Sequence, residues 1–353
     1  MNRLSSTSRR LSSTPSRRLI AAALLGSVLT LSVSGCSDEG TPYDFNAAED
    51  NGGSIQRSDL QQAASKGGAD TLLPRGPRSD FSVFRTLDDG TKVAQTTLTG
   101  TKSGFTGKVW VWAPKQYFDP KYAESGFPVL IALPGSYGYD NNYWSLEKKH
   151  FLETVADMSQ RGQSLPFIVV MPVQNPEKKY YDGSDIPGRP KMGTWITQDV
   201  PDFVKANFRT FRSRDGWAFM GSSSGGFIAL KSVLKYPERF KAAISSGPDI
   251  VPDSPMWKGH PQEKLANNPR QLAADLIKRP DAPKVYLAFQ VGSKEKLIPR
   301  VERFMHDYGK GPIKTRLQVV PDGVHNPATY IKGMESGSLG WLSSHLKAPV
   351  PTP

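Results

Sequence analysis

The stretch Gly221-Ser222-Ser223-Ser224-Gly225 sits inside "GWAFMGSSSGGFIAL" (216–230), between a short apolar run and the start of a helical pattern. Glycine and serine runs commonly serve as linkers. These flanks point elsewhere, because G-x-S-x-G between a strand and a helix forces a sharp turn that lifts the middle hydroxyl clear of the backbone. Small residues two before and two after Ser223 let neighbouring backbone approach that turn. The chemistry implied is nucleophilic attack by Ser223.

A serine hydroxyl is a poor nucleophile near neutral pH, so a base must accompany it. In sites built on this turn the acid and then the base follow the serine along the chain. Of the five histidines, His150 and His306 fall in helical patterns, His345 in the closing helix and His260 between two strands. His325, in "VVPDGVHNPATY", alone stands on a turn-rich loop directly after the last strand. Such a loop can reach back over the sheet's carboxyl edge. Glu295 is the acid at the end of the preceding strand, in "VGSKEKL", and Asp249, in "SSGPDI" after an earlier strand, is the alternative. Either would orient the imidazole and stabilise its charged form. Backbone N–H groups of Ser224 and Ser136, the latter in "ALPGSYGYDNNYW", are the expected donors to a developing oxyanion.

These residues need a scaffold that brings distant loops to one edge. "FPVLIALPG" (127–135) and "PFIVVMPV" (166–173) are continuous apolar runs of strand length, as in parallel strands covered on both faces. "GTKVAQTTLTG" (90–100) and "GKVWVWAPKQY" (107–117) read as an opening β-ribbon. Helical stretches at 144–160, 197–208, 227–236 and 297–308 alternate with strands at 216–221, 241–247, 284–292 and 315–321. The expectation is an α/β fold in one catalytic domain over 81–353, with a mainly parallel central sheet and helices on both faces. The loops 175–193 and 251–265 should overhang the site, where Tyr180, Tyr181, Met256 and Trp257 either line an apolar pocket or anchor their own loops.

Residues 1–35 read as an export signal, with an Arg-rich start and an apolar stretch from Leu19 to about Val33. That stretch is too short to favour a spanning helix. It ends in Leu31-Ser32-Val33-Ser34-Gly35-Cys36, which resembles a bacterial lipobox and makes Cys36 the expected lipidation site. Ser8-Arg9-Arg10 and Ser16-Arg17-Arg18 also resemble the twin-arginine signal, so the route is either that or general secretion. Both give an extracytoplasmic, membrane-anchored protein. Cys36 is the single cysteine, which excludes an internal disulfide. Residues 36–80 are rich in Gly, Asp, Ser, Gln and Asn and read as a disordered tether. The net charge is +12, and five arginines of the first 35 residues account for the excess over the +7 of the rest. Without a basic block or nucleic-acid motif, that remainder fits a solvated surface and not a nucleic-acid groove.

Together "VLIALPGSYGYDNNYW", "IVVMPV", "GTWITQDVPDFV", "FMGSSSGGFIALKSVLKYPERFKAAISSG", "VGSKEKL" and "PDGVHN" resemble the putative esterase group of α/β-hydrolases, which includes esterase D-like enzymes and secreted mycolyltransferases. The resemblance covers roughly residues 105–345. It implies an α/β-hydrolase fold and a triad of Ser223, Glu295 and His325, with no metal or cofactor. The turn Pro134-Gly135-Ser136-Tyr137 departs from both branches, lacking the Asp and Arg that hold a sugar in mycolyltransferases and the His-Gly of esterase D-like enzymes. The expected function is an extracytoplasmic serine carboxylesterase acting on a small-molecule, lipid or carbohydrate ester. A mycolyltransferase-type acyltransferase and a non-catalytic surface binding lipoprotein are the alternatives.

Overall fold

The computed structural model describes residues 40–47 and 70–352. The strands along the chain are β1 (Pro42–Tyr43), β2 (Thr71–Leu72), β3 (Phe81–Thr86), β4 (Lys92–Thr99), β5 (Thr106–Trp112) and β6 (Val129–Leu133). They continue as β7 (Ile168–Pro172), β8 (Thr210–Phe211), β9 (Trp217–Ser222), β10 (Ala242–Ser246), β11 (Val285–Gly292) and β12 (Ile313–Val320). Ten of them form one sheet in the order β1-β3-β4-β5-β7-β6-β9-β10-β11-β12, and β2 pairs with β8 apart from it. From β7 to β12 every neighbouring pair is parallel, while β1, β3, β4, β5 and β7 pair antiparallel.

Every residue of β6, β7, β9 and β10 is buried, which requires cover on both faces of the sheet. The longer helices that provide this cover are α1 (Phe151–Gln160), α2 (Val200–Asn207), α3 (Ser224–Lys235), α4 (Pro269–Lys278), α5 (Ile298–Tyr308) and α6 (Pro327–Gly333). The fold is therefore the expected α/β-hydrolase arrangement with one catalytic domain. Strand β6 pairs with β7 on one side and β9 on the other. The strand order reverses there, and ligands of open α/β sheets bind outside the carboxyl ends of strands at such a reversal.

Several local expectations are revised. The ribbon strand expected over 107–117 stops at Trp112, because Pro114 opens a short helix over Lys115–Phe118. The helix expected over 144–160 is two 3₁₀ turns followed by α1, separated at His150, whose φ is 53°. Helix α4 lies in a stretch with no predicted element; its Asn268 cap and Pro269 at the first helical position start it.

The tether expected over 36–80 differs in its described parts. Strand β1 pairs with β3, and Phe45 is buried with its ring 5.1 Å from Phe81 and 4.9 Å from Phe208. Thr71 and Leu72 pair with β8, and the Asp70 carboxylate accepts hydrogen bonds from Ser213 N and Oγ at 2.8 and 2.7 Å. One aromatic anchor and a few ladder bonds suffice to hold a polar segment whose average composition reads as unstructured. The signal segment 1–35 and Cys36 lie outside the described residues.

Candidate active site

Ser223 occupies the single-residue junction between β9 and α3, with φ 53° and ψ −120°. A non-glycine residue pays on the order of 1–3 kcal/mol for such a conformation. The surroundings enforce it: Ser223 N donates to Ser246 O at 2.7 Å, and Phe227 N donates to Ser223 O at 2.9 Å. The two motif glycines are explained by close approach. A β-carbon on Gly221 would lie 2.3 Å from Gly225 O, and one on Gly225 would lie 2.4 Å from Pro134 O. Any side chain at either position would push α3 away from β9 or from the end of β6.

His325 and Glu295 come from adjacent loops. Lys294 N donates to Gly323 O at 2.9 Å, tying the turn after β11 to the turn after β12. Asn326 caps α6 by accepting from Thr329 N at 2.8 Å, which fixes the backbone one residue beyond His325. His325 Nδ1 then meets Glu295 Oε2 at 2.6 Å, while Gly292 N donates to Glu295 Oε1 at 2.7 Å. With a carboxylate on Nδ1, the neutral ring carries its proton there, and Nε2 is left to accept one. The ring lies against Gly247, where an added β-carbon would be 2.9 Å from His325 Cε1 and Nδ1. Gly247 follows the Ser246 that holds Ser223 N, so the Glu295–His325 pair and Ser223 both abut the carboxyl end of β10, with no hydrogen bond between Ser223 and the ring.

The electrostatics match this arrangement. The Glu295 hydrogen bond raises the His325 pKa above its ordinary 6.5, against a smaller downward push from burial. Burial pushes the Glu295 carboxyl up, yet the bonds from His325 and Gly292 outweigh it and hold Glu295 below the usual carboxylate range.

Asp249 is placed differently. Its carboxylate faces Arg300 at 3.4 Å, and burial together with Asp253 raises its pKa. It adds to the field at His325 without a hydrogen bond to the ring.

The expected oxyanion residues are linked to each other. Ser224 Oγ donates to Ser136 O at 2.6 Å, and Ser136 has φ 59°. Ser224 is the first residue of α3, so its N–H has no acceptor within the helix. Gly135 N donates to Tyr143 Oη at 2.6 Å, and Tyr143 Oη is hydrogen-bonded to Ser222 Oγ, which locks the turn after β6 to the end of β9.

Tyr330 was not foreseen. Its hydroxyl lies 3.1 Å from both Glu295 oxygens and 2.8 Å from His325 Nδ1, so the phenol donates to the same carboxylate that holds the imidazole. Its sequence signal is slight: a tyrosine five residues past His325, which becomes meaningful only once α6 turns it back. Among the four residues with two possible roles, Tyr181 and Trp257 are buried loop anchors, donating to Glu177 Oε1 at 2.7 Å and Asp182 Oδ2 at 2.6 Å. Met256 packs partly buried against the core. Tyr180 packs against Tyr137, beside Ser136, with ring centroids 4.7 Å apart and the planes tilted by 37°. Among the described residues no group of three His, Cys, Asp or Glu side chains is placed to hold a metal ion.

Comparison with known proteins places this geometry in context. The family described as "Putative esterase" matches residues 104–306. Esterase Rv1288 of Mycobacterium tuberculosis is 39% identical over 131 residues, covering 36% of this chain and 27% of that protein. The match thus spans about a quarter of that relative's length. An S-formylglutathione hydrolase from Agrobacterium tumefaciens superposes with a TM-score of 0.57 at 18% identity, over 75% of this chain and 99% of that one. The fluorophosphonate-binding serine hydrolase F of Staphylococcus aureus gives a TM-score of 0.58 at 14% identity, over 72% of this chain and 98% of that one. At these identities the structural likeness speaks for the fold.

Proposed function

Because the chain belongs to the "Putative esterase" family, we propose that it is a serine carboxylic ester hydrolase using Ser223, His325 and Glu295. The observation that carries this reading is the 2.6 Å contact of His325 Nδ1 with Glu295 beside a serine held at φ 53° on the strand-to-helix turn. Ser223 Oγ attacks the ester carbonyl carbon while His325 Nε2 takes its proton. The carbonyl oxygen becomes an oxyanion in the reach of the Ser224 and Ser136 N–H groups. Collapse expels the alcohol, which leaves with the proton from His325, and water repeats the sequence on the acyl-enzyme. Throughout, Glu295 stays ionised and stabilises the imidazolium.

The site requires no cofactor in this scheme. The proposed place of action is the outer face of the cell membrane, held there by lipid on Cys36. Support for it is the sequence of residues 1–36. Changing Cys36 to Ala should release the protein from the membrane fraction or leave it uncleaved, and fatty-acid labelling that persists in that variant would contradict the anchor.

A panel of p-nitrophenyl esters of rising acyl length tests the activity. Saturable hydrolysis of at least one member, abolished by Ser223→Ala, is the expected outcome. Absence of hydrolysis across the panel by folded protein would contradict the reading.

A further inference from the structure

Eight residues beyond Ser223, on the same helix α3, Lys231 is buried with 2% of its surface exposed. The ammonium donates to Asp182 O, to Gly183 O at 2.6 Å and to Ser184 Oγ at 2.5 Å, so its three N–H bonds are all used on one turn of the 175–193 loop. That turn needs an external hold, because Asp182 and Gly183 have φ of 52° and 49°. A β-carbon on Gly183 would also lie 2.7 Å from Ile228 of α3, so the loop lies directly on the nucleophile's helix.

The contacts continue toward the reacting centre. Asp182 Oδ2 accepts from Trp257 Nε1 at 2.6 Å and from Ser254 N at 3.2 Å, binding the second overhanging loop to the first. Ser254 Oγ donates to Tyr180 O at 2.6 Å. Asn175 accepts from Tyr181 N at 3.0 Å and donates through its amide to Tyr137 O. Tyr180 and Tyr137, whose rings are in contact, thus stand at the end of a continuous hydrogen-bonded path from Lys231, next to Ser136. Burying a cation is expensive, and here three hydrogen bonds to one turn offset the cost. Burial pushes the Lys231 pKa down to about 7, with Lys235 adding to that and Asp182 and Asp185 opposing it.

We propose that Lys231 is a positioning residue that clamps the 175–193 and 251–265 loops to the nucleophile helix and so sets the Tyr137–Tyr180 wall against which the acyl chain of the ester binds. The proposal rests on the esterase reading for its kinetic consequence and on the contacts alone for the clamp. An ester with a small acyl group makes little use of that wall, so the clamp matters for large esters and little for the acetate.

The test compares wild type with Lys231→Met and with the double variant Lys231→Met/Asp182→Asn. The double variant removes the uncompensated carboxylate that the single one buries, and it remains informative where the single variant fails to fold. KM for p-nitrophenyl octanoate should rise about tenfold, while kcat for p-nitrophenyl acetate stays within about threefold of wild type. Amide hydrogen exchange across 180–186 and 254–257 should accelerate by at least about tenfold, with α3 unchanged. Unchanged exchange in both loops, or an equal fall in kcat for the two esters, would overturn the proposal. A wild-type protein that hydrolyses neither ester would remove the esterase reading, and the exchange measurement would then decide the clamp by itself.

Discussion

The two halves of the ten-stranded sheet end in different kinds of residue. The antiparallel half, β1 with β3 to β5, finishes in hairpins and a docked N-terminal segment, and its buried residues include Phe45, Phe81, Val93 and Trp110. The parallel half ends in Ser136, Ser223, Gly247, Asp249, Glu295 and His325, all on loops at one edge. Parallel strands put all their carboxyl ends together, so one edge can collect side chains from distant points of the chain. An antiparallel ribbon divides its loops between two edges and serves here as packing. Damage to the first edge should therefore cost catalysis without stability, and damage to the ribbon half should cost stability without catalysis.

The largest expected effect is Ser223→Ala, which should lower kcat by about 10⁶-fold with an unchanged melting temperature. Glu295→Gln follows at on the order of 10⁴-fold, because the imidazole loses both its orienting acceptor and its counter-charge. Asp249→Asn, at the end of the neighbouring strand, should stay within about threefold, since that carboxylate is paired with Arg300 and makes no bond to the ring. Steady-state kinetics on the two carboxylate variants separates them, and the reverse order would make Asp249 the acid.

The pH profile sharpens the same distinction. His325 must be neutral to act as a base, and Glu295 raises its pKa, so kcat/KM should fall on the acid side with a midpoint above 6.5. Glu295→Gln removes the charge that favours imidazolium, so the midpoint should move down. Tyr330→Phe takes one donor from the Glu295 carboxylate, leaving it more basic; a loss of about tenfold in kcat with an upward shift of the acid limb is expected. An unshifted limb would reduce Tyr330 to a packing residue.

At the other end, Phe45→Ala should leave kcat and KM unchanged and lower stability by about 3 kcal/mol, as for a buried phenylalanine. Denaturation with urea measures it. A loss of activity per folded molecule would mean that the ribbon half is coupled to the site.

The parallel strands were legible because both their faces are covered, which writes "VLIAL" and "IVVMP" as unbroken apolar runs. The placement of Ser223, Glu295 and His325 on one edge of the sheet was legible because a strand-to-helix turn and two strand ends restrict where such residues can sit. Strand β3, "FSVFRT", was not foreseen: its register shifts between Val83 and Arg85, which breaks the alternation a pattern search needs. The segment at 40–47 was hidden by composition, since a single phenylalanine carries its docking. Tyr330 and Lys231 act through contacts with residues 35 and 47 to 49 positions away, and nothing local in a helix announces that.

The central claim is that Ser223 is a nucleophile made reactive by His325. Incubating the protein with a fluorophosphonate and mapping the adduct by peptide mass spectrometry tests it directly, because only an activated serine reacts readily. The account predicts one stoichiometric adduct on Ser223, lost in His325→Ala and slowed in Glu295→Gln. A folded protein that stays unlabelled, or that carries its adduct on another residue while Ser223 remains free, would contradict it.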